Sequence, residues 1–174
     1  MTDKEEILHS SLGKKALNKT LFWLGKRSYP IKQLEQKLQK IDYNEEIITA
    51  VIHYCLRMGY LNDQEYVREW VATLNRLNPI GRRRVLHELK LKGIDTDTIT
   101  NCLDASLSEE QEYELAASLI KKKIGNNSKQ VDDRFPVKLY QFLLRRGFSH
   151  YTALKALNNV RKESCIDVGQ LDRL

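Results

Sequence analysis

Residues 78–95, NPIGRRRVLHELKLKGID, set three consecutive arginines, Arg82, Arg83 and Arg84, at the front of a segment whose apolar residues recur at helical spacing. Such a cluster can hold something negative, a carboxylate or a phosphate. Lys90 and Lys92 follow, with Glu88 as the only carboxylate, so residues 82–92 carry a net +4. Residues 121–146 carry Lys121, Lys122, Lys123, Lys129, Arg134, Lys138, Arg145 and Arg146 against Asp132 and Asp133, a net +6. The whole 174-residue chain is +6, so the remainder sums to −4. The positive charge is therefore expected to concentrate in the later part of the chain, where basic faces suit a polyanion or an acidic protein groove. Arg82, Arg83, Arg84, Lys90, Lys92, Lys121, Lys122, Lys123, Arg145 and Arg146 are the candidate contacts with protein or DNA. The three consecutive arginines are expected to face outward.

Other chemistry is harder to find. Side-chain catalysis needs converging acids, a nucleophile with its base, or a metal. The four histidines, His9, His53, His87 and His150, are scattered singly, and neither HExxH nor CxxC occurs. Asp95-Thr96-Asp97 resembles the start of a calcium loop but lacks the later glycine and glutamate, and reads better as a helix N-cap. Asp132-Asp133 reads as a helix start, where carboxylates meet the positive end of the dipole. GRRRV has one glycine and no following GK[ST], so it is no phosphate loop. No catalytic site, metal or cofactor is expected. Exposed aromatics interleaved with arginine, the mark of a base-stacking platform, are not evident. Trp23, Trp70 and Phe148 fall at core spacing, while Tyr29 and Tyr60 read as corner residues whose hydroxyls face out.

The elements that position these residues read as helices. Apolar residues make up 41% of the chain, enough for a core, while glycine (8) and proline (3) are scarce. LEQKLQKIDYN (34–44), VLHELKLKGID (85–95) and LYQFLLRRGFS (139–149) align at offsets of 51 and 54 residues. Each runs apolar, three residues, Leu, three residues, Gly or Asp, a large apolar residue, then a capping residue. Such a pattern spells a helix, a left-handed stop at Asp42, Gly93 or Gly147, and a plug at Tyr43, Ile94 or Phe148. Asn44, Asp95 and Ser149 then cap the next helix. That helix repeats one apolar stripe: Ile48, Val51, Ile52; Ile99, Cys102, Leu103; Ala153, Ala156, Leu157. Helices over about 14–26, 63–77 and 109–124 precede the copies, the last two opening with the capping boxes Asn62-x-x-Glu65 and Ser108-x-x-Gln111. Pro30, Pro79 and Pro136 lie at or near the start of each middle helix.

The expected architecture is all-α: three tandem three-helix repeats over residues 12–58, 62–106 and 108–162, forming an elongated, curved array. An N-terminal extension (1–11) and a C-terminal tail (163–174) are expected to fray, and 125–131 is the longest expected loop. Cys55, Cys102 and Cys165 are far apart and odd in number, which suits reduced thiols. The acidic start MTDKEEILHS lacks the order of a signal peptide, and no apolar run approaches the roughly 20 residues a bilayer requires. A cytoplasmic location without membrane attachment is expected. No coiled-coil heptad argues for a dimer, so a monomer is expected.

These motifs resemble those of the RecX family of recombination regulators. The likeness is carried by Arg27-Ser28-Tyr29 with Leu34-x-x-Lys37-Leu38, by Gly59-Tyr60-Leu61-Asn62-Asp63, by Gly81-x-x-Arg84-x-x-x-Glu88-Leu89-x-x-Lys92-Gly93-Ile94, and by Arg145-Arg146-Gly147-Phe148. It covers about residues 12–160 and is most specific over 59–94. Two positions depart from the pattern: Asp42 stands in the glycine place of the first corner, and Pro30 where a serine cap is usual. The resemblance implies three tandem three-helix repeats and no enzyme activity. It also implies binding to the RecA recombinase and its filament on single-stranded DNA. The consequence would be restraint of strand exchange, ATP hydrolysis and coprotease activity in DNA repair and the SOS response, with weak direct DNA binding. The rival reading is a stand-alone basic DNA- or RNA-binding helical-repeat module.

Overall fold

A computed structural model of the chain describes residues 3–126 and 135–164. Within them the chain forms α1 (Asp3–His9), α2 (Ser11–Leu24), α3 (Ile31–Gln39), α4 (Glu45–Arg57), α5 (Asp63–Leu77), α6 (Arg82–Leu91), α7 (Thr96–Ser106), α8 (Glu109–Asn126), α9 (Phe135–Arg145) and α10 (His150–Ser164). No strand occurs among the described residues. Helices α2–α4, α5–α7 and α8–α10 are the three copies that the 51- and 54-residue offsets predict. The repeated apolar positions of the middle helices, Leu34 and Leu38, Val85 and Leu89, Leu139 and Leu143, are all buried, as are the three stripes of α4, α7 and α10.

Each middle helix ends in one turn. The N–H groups of Tyr43, Ile94 and Phe148 donate to the carbonyls of Leu38, Leu89 and Leu143 at 3.4, 3.2 and 3.2 Å. One residue earlier, Asp42, Gly93 and Gly147 donate to Gln39, Lys90 and Leu144 at 3.0, 2.9 and 2.9 Å. This pair of bonds is a Schellman turn and needs a left-handed residue, here at φ 64°, 86° and 86°. The caps follow as expected. Asn44 Oδ1 accepts from the Ile47 amide, Asp95 Oδ2 from those of Asp97 and Thr98, and Ser149 Oγ from that of Thr152, at 2.9–3.1 Å. The capping box at α8 is complete, with Ser108 and Gln111 each accepting the other's N–H. At α5, Asn62 Oδ1 accepts from the Glu65 amide at 3.2 Å.

Residues 1–10 do not simply fray. Ile7 and Leu8 give α1 an apolar side that packs on the core of the first copy, with Leu34, Leu38, Ile48, Val51 and Cys55. Ser10 turns the chain, donating to the Ile7 carbonyl at 2.6 Å and accepting from the Gly13 amide at 3.0 Å. Gly13 admits the close approach, because a Cβ there would lie 2.1 Å from the Ile7 oxygen. Lys129, Asp132-Asp133, Arg134, Cys165 and the tail beyond Ser164 lie outside the described residues, as does the expected loop beyond Asn126.

The described residues group into two compact units, Met1–Glu69 with Leu89–Ile99, and Trp70–Glu88 with Thr100–Leu174. The division passes through the second copy rather than between copies. Each unit contains one joint of the same design. In the first unit, the α3 amide of Ile31 donates to Asp63 Oδ1 of α5 at 3.0 Å. Gly93, the corner of the next copy, sits against Lys32 so tightly that a Cβ would lie 2.6 Å from Lys32 Cβ. In the second unit, the α6 amide of Arg82 donates to Glu112 Oε1 of α8 at 2.9 Å. Gly81 and Arg83 donate to the Arg146 and Gly147 carbonyls at 2.9 and 3.2 Å. A Cβ on Gly147 would lie 2.3 Å from Arg84 Cβ and 2.5 Å from its amide nitrogen. A middle helix thus begins by handing its orphan amides to the copy that follows.

This geometry explains why Asp42 replaces glycine. Gly93 and Gly147 need both a positive φ and an absent side chain, whereas the exposed Asp42 needs only the φ, which aspartate tolerates. Gly147→Ala should cost about 2 kcal/mol or more, from left-handed strain and overpacking together. Asp42→Gly should be neutral or slightly stabilising. Urea unfolding midpoints distinguish the two. The capping carboxyls give a second expectation. Burial raises the pKa of Glu112 and of Asp63, and the amide bonds from Arg82 and Ile31 only partly oppose it. Each group's folded pKa lies above its unfolded one, so its stabilising contribution is full below the ordinary carboxylate pKa and lost as pH rises through the raised value. Glu112→Gln keeps an oxygen for the Arg82 amide without the ionisation. Its unfolding midpoint at neutral pH should exceed the parent's, and the gap should close on acidification toward the ordinary Glu pKa. Glu112→Ala deletes the cap and should cost about 0.5–2 kcal/mol at every pH.

Candidate nucleic-acid and protein interface

The ten candidate cations do not play one role. Arg82 lies at the first turn of α6 and is turned inward rather than out to a partner. Its Nη1 donates to the Leu107 and Leu103 carbonyls at 2.8 and 3.4 Å, and its Nη2 pairs with Asp104. It thereby ties the start of α6 to the end of α7: Leu103 O already accepts from the Leu107 amide, and the Leu107 carbonyl, just past the helix, takes its donor from Arg82. Arg146 is also tied down, with Nη1 donating to Asn78 Oδ1 and to the Pro79 carbonyl at 3.3 Å. Arg84 Nε pairs with Glu88 Oε1 one helical turn away at 2.7 Å and remains exposed. Arg83, Lys122 and Arg145 are exposed and make no ion pair among the described residues. Lys121 is exposed and engaged elsewhere.

The second unit brings most of these residues to one ridge. The start of α6 abuts the α9 corner through the Gly81 and Arg83 amide bonds. Phe142 of α9 carries Lys123 Nζ of α8 at 4.9 Å and the Arg146 guanidinium at 5.2 Å from its ring centre. Arg83, Arg84, Lys123, Arg145 and Arg146 thus lie around the junction of α6, α8 and α9, with the exposed Lys122 one residue before Lys123 on α8. Lys90, exposed, and Lys92, half-buried, stand at the far end of α6 in the other compact unit.

The first copy is basic as well. Residues 14–40 hold eight lysines and arginines against Glu35 alone, a net +7, so positive charge is not concentrated in the last two copies. Here cations and aromatic rings do interleave, contrary to the expectation that no such platform exists. Lys26 Nζ lies 4.2 Å from the Phe22 ring centre, the Arg27 guanidinium 4.2 Å from Tyr29, and Lys37 Nζ 4.0 Å from Trp23. Lys37 also donates to Tyr29 Oη at 2.9 Å, and this bond, with Arg27, lowers the phenol's pKa. The signal was readable as Phe-Trp-x-x-Lys-Arg-x-Tyr, but helical spacing alone assigned Trp23 to the core and Tyr29 to a corner. Trp23 is in fact half-buried at the core's edge.

The titratable groups of the described residues are mostly engaged with one another. A cavity of about 470 Å³ in the second unit is lined by Arg82, Asp104, Glu112, Tyr113, Tyr151 and Lys155, among others. Its cations already face carboxylates, Arg82 with Asp104 and Lys155 with Glu110 at 3.6 Å. Among the described residues, no group of three His, Cys, Asp or Glu is placed to hold a metal ion. Asp95 spends its carboxylate on the cap of α7. His150 is engaged with the Tyr140 hydroxyl. Cys55 is fully buried and its thiol pKa is pushed up to about 11 by that burial, which removes the reactive thiolate at neutral pH. No helix among the described residues is long and apolar enough to cross a membrane.

Models of the RecX domains match three successive stretches: the first three-helix domain over residues 16–55, the second over 62–103 and the third over 109–157. The regulatory protein RecX of Bacillus subtilis is 32% identical over 162 residues, covering 91% of this chain and 60% of that protein. That of Clostridioides difficile is 30% identical over 154 residues, covering 88% and 72%. The chain thus spans about 60% of the length of the Bacillus relatives it matches. The crystal structure of RecX from Lactobacillus salivarius shares the fold, with a TM-score of 0.78 at 23% identity over 86% of this chain and 97% of that one. With three RecX domains in order along one polypeptide, the chain belongs to the RecX family.

Proposed function

We propose that this chain is a regulator that binds the RecA filament on single-stranded DNA and restrains its activities, strand exchange, ATP hydrolysis and coprotease function among them. The observation that carries this reading is the ordered match to all three RecX domains. It acts by binding rather than by catalysis, in the cytoplasm, where that filament forms. The ridge at α6, α8 and α9 supplies the contact. Its exposed cations, Arg83, Lys122, Lys123 and Arg145, have charge to offer a carboxylate-rich protein surface or a phosphate. Arg82 and Arg146 contribute indirectly, by holding the ridge in place.

A stand-alone nucleic-acid-binding module is the second reading, favoured by the same ridge and by the basic face of residues 14–40. Salt titration on single-stranded DNA with and without RecA separates the two. Tight binding to bare DNA with no gain from RecA would displace the regulator reading.

The sorting of cations sharpens the test. Reversing Arg83, Lys122, Lys123 and Arg145 to glutamate should leave helical circular dichroism intact. At about 0.5 kcal/mol or more per exposed charge, the concentration for half-inhibition of RecA ATPase should rise about tenfold or more. Arg82→Glu should instead lower the unfolding midpoint, because it removes the donor to the Leu107 carbonyl and sets a carboxylate beside Asp104 and Glu112. Unchanged inhibition by the fourfold variant would remove the ridge from the mechanism.

A further inference from the structure

We infer that the α2–α3 face of the first copy is a binding site for unpaired bases of a single-stranded nucleic acid. It belongs to the first compact unit, whereas the α6–α8–α9 ridge belongs to the second, and it does not depend on the recombinase reading.

Three observations converge on this face. Phe22 is 60% exposed, on a helix whose partly buried apolar residues Leu17, Trp23 and Leu24 pack inward. A large apolar ring left in water gains by being covered. The cations nearest the rings, Lys19, Lys26, Arg27 and Lys37, take aromatic faces as partners and make no ion pair among the described residues. Trp23 and Tyr29 are half-buried and pack against the first core, whereas Phe22 stands clear of it and, with Lys26 at 4.2 Å, still leaves 60% of its surface in water. Finally, eight cations against one acid over residues 14–40 repel one another, and a polyanion relieves that repulsion. Of the carboxylates close by, Glu35 pairs with Lys32 at 2.9 Å, Glu69 accepts from the Ser28 hydroxyl at 3.0 Å, and Glu65 lines the pocket beside Tyr29.

Planar rings and unneutralised cations in one face match a ligand that alternates planar bases with phosphates. A base stacks on Phe22, with the Arg27 guanidinium over Tyr29 extending the platform, while Lys19 and Lys26 meet phosphates. Lys37, held by Tyr29 Oη, fixes the rings. A duplex keeps its bases stacked inside and offers only its phosphates to the same face. An acidic protein offers carboxylates but no flat partner for Phe22.

The test uses the full chain without RecA, carrying the fourfold ridge reversal so that the ridge cannot mask the result. Fluorescence anisotropy is read with labelled oligo(dT), oligo(rU) and a duplex of equal length. Phe22→Ala should weaken both single strands about fivefold or more and leave the duplex unchanged, while Phe22→Trp restores binding. Lys26→Gln with Arg27→Gln should weaken all three and flatten the salt dependence by about one to two units of slope. Oligo(dT) against oligo(rU) decides whether the sugar matters. Single-strand affinity within twofold of the parent in Phe22→Ala would overturn the inference. So would equal losses on single strand and duplex, or binding confined to an acidic polypeptide such as polyglutamate. None of these results bears on RecA inhibition, which is read separately.

Discussion

A buried helix start has several amide donors and no helical acceptors for them, and the rest of this structure is arranged around that shortage. α3 and α6 begin against other elements, where an unmet N–H costs about 1–3 kcal/mol. Neither helix carries the usual side-chain cap: Pro30 precedes α3 and Gly81 precedes α6. The acceptors come instead from the copy downstream, Asp63 for Ile31 and Glu112 for Arg82. At α6 the backbone of the next corner adds two more. Backbone can approach backbone that closely only where no Cβ intervenes, which is what Gly81 and Gly147 provide. The Gly147 corner therefore serves two ends: it stops α9 and completes the start of α6.

Much of the fold was legible because its signals are local. A Schellman turn, an Asx or Ser cap and a 3.6-residue stripe are written in residues a few positions apart, and the 51- and 54-residue offsets repeated each signal three times. The joints were not legible for the converse reason. Asp63 and Glu112 look like ordinary first-turn acids, and nothing nearby in sequence says that they cap helices some 30 residues upstream. Arg82 and Arg146 read as members of an outward basic run, yet their hydrogen bonds go to carbonyls and amide oxygens of distant elements. The first helix was missed because Ile7 and Leu8 are too short a run to declare a buried side on their own.

The charges show the same division. A net charge over a segment counts pinned and free cations alike, while binding draws on the free ones. Removing Arg82 and Arg146 from the exposed set leaves a ridge defined by Arg83, Lys122, Lys123 and Arg145, with Arg84 partly neutralised by Glu88. The larger total, +7, belongs to residues 14–40, where Lys26, Arg27 and Lys37 rest on Phe22, Trp23 and Tyr29. Aromatic partners hold a cation in place without cancelling its charge, so that face keeps its field while losing side-chain disorder.

The downstream caps also give the chain a direction in time. A polypeptide leaves the ribosome from its N-terminus, so residues 31–39 emerge before the carboxylate at Asp63 and well before the corner at Gly93. Until those arrive, the first middle helix can pack on its own bundle, but its Ile31 amide has no acceptor and Lys32 no corner against it. Helices 45–57 and 11–24 can meet their own caps at once. The first two bundles therefore mature one step behind their synthesis, completed by the sequence that follows them.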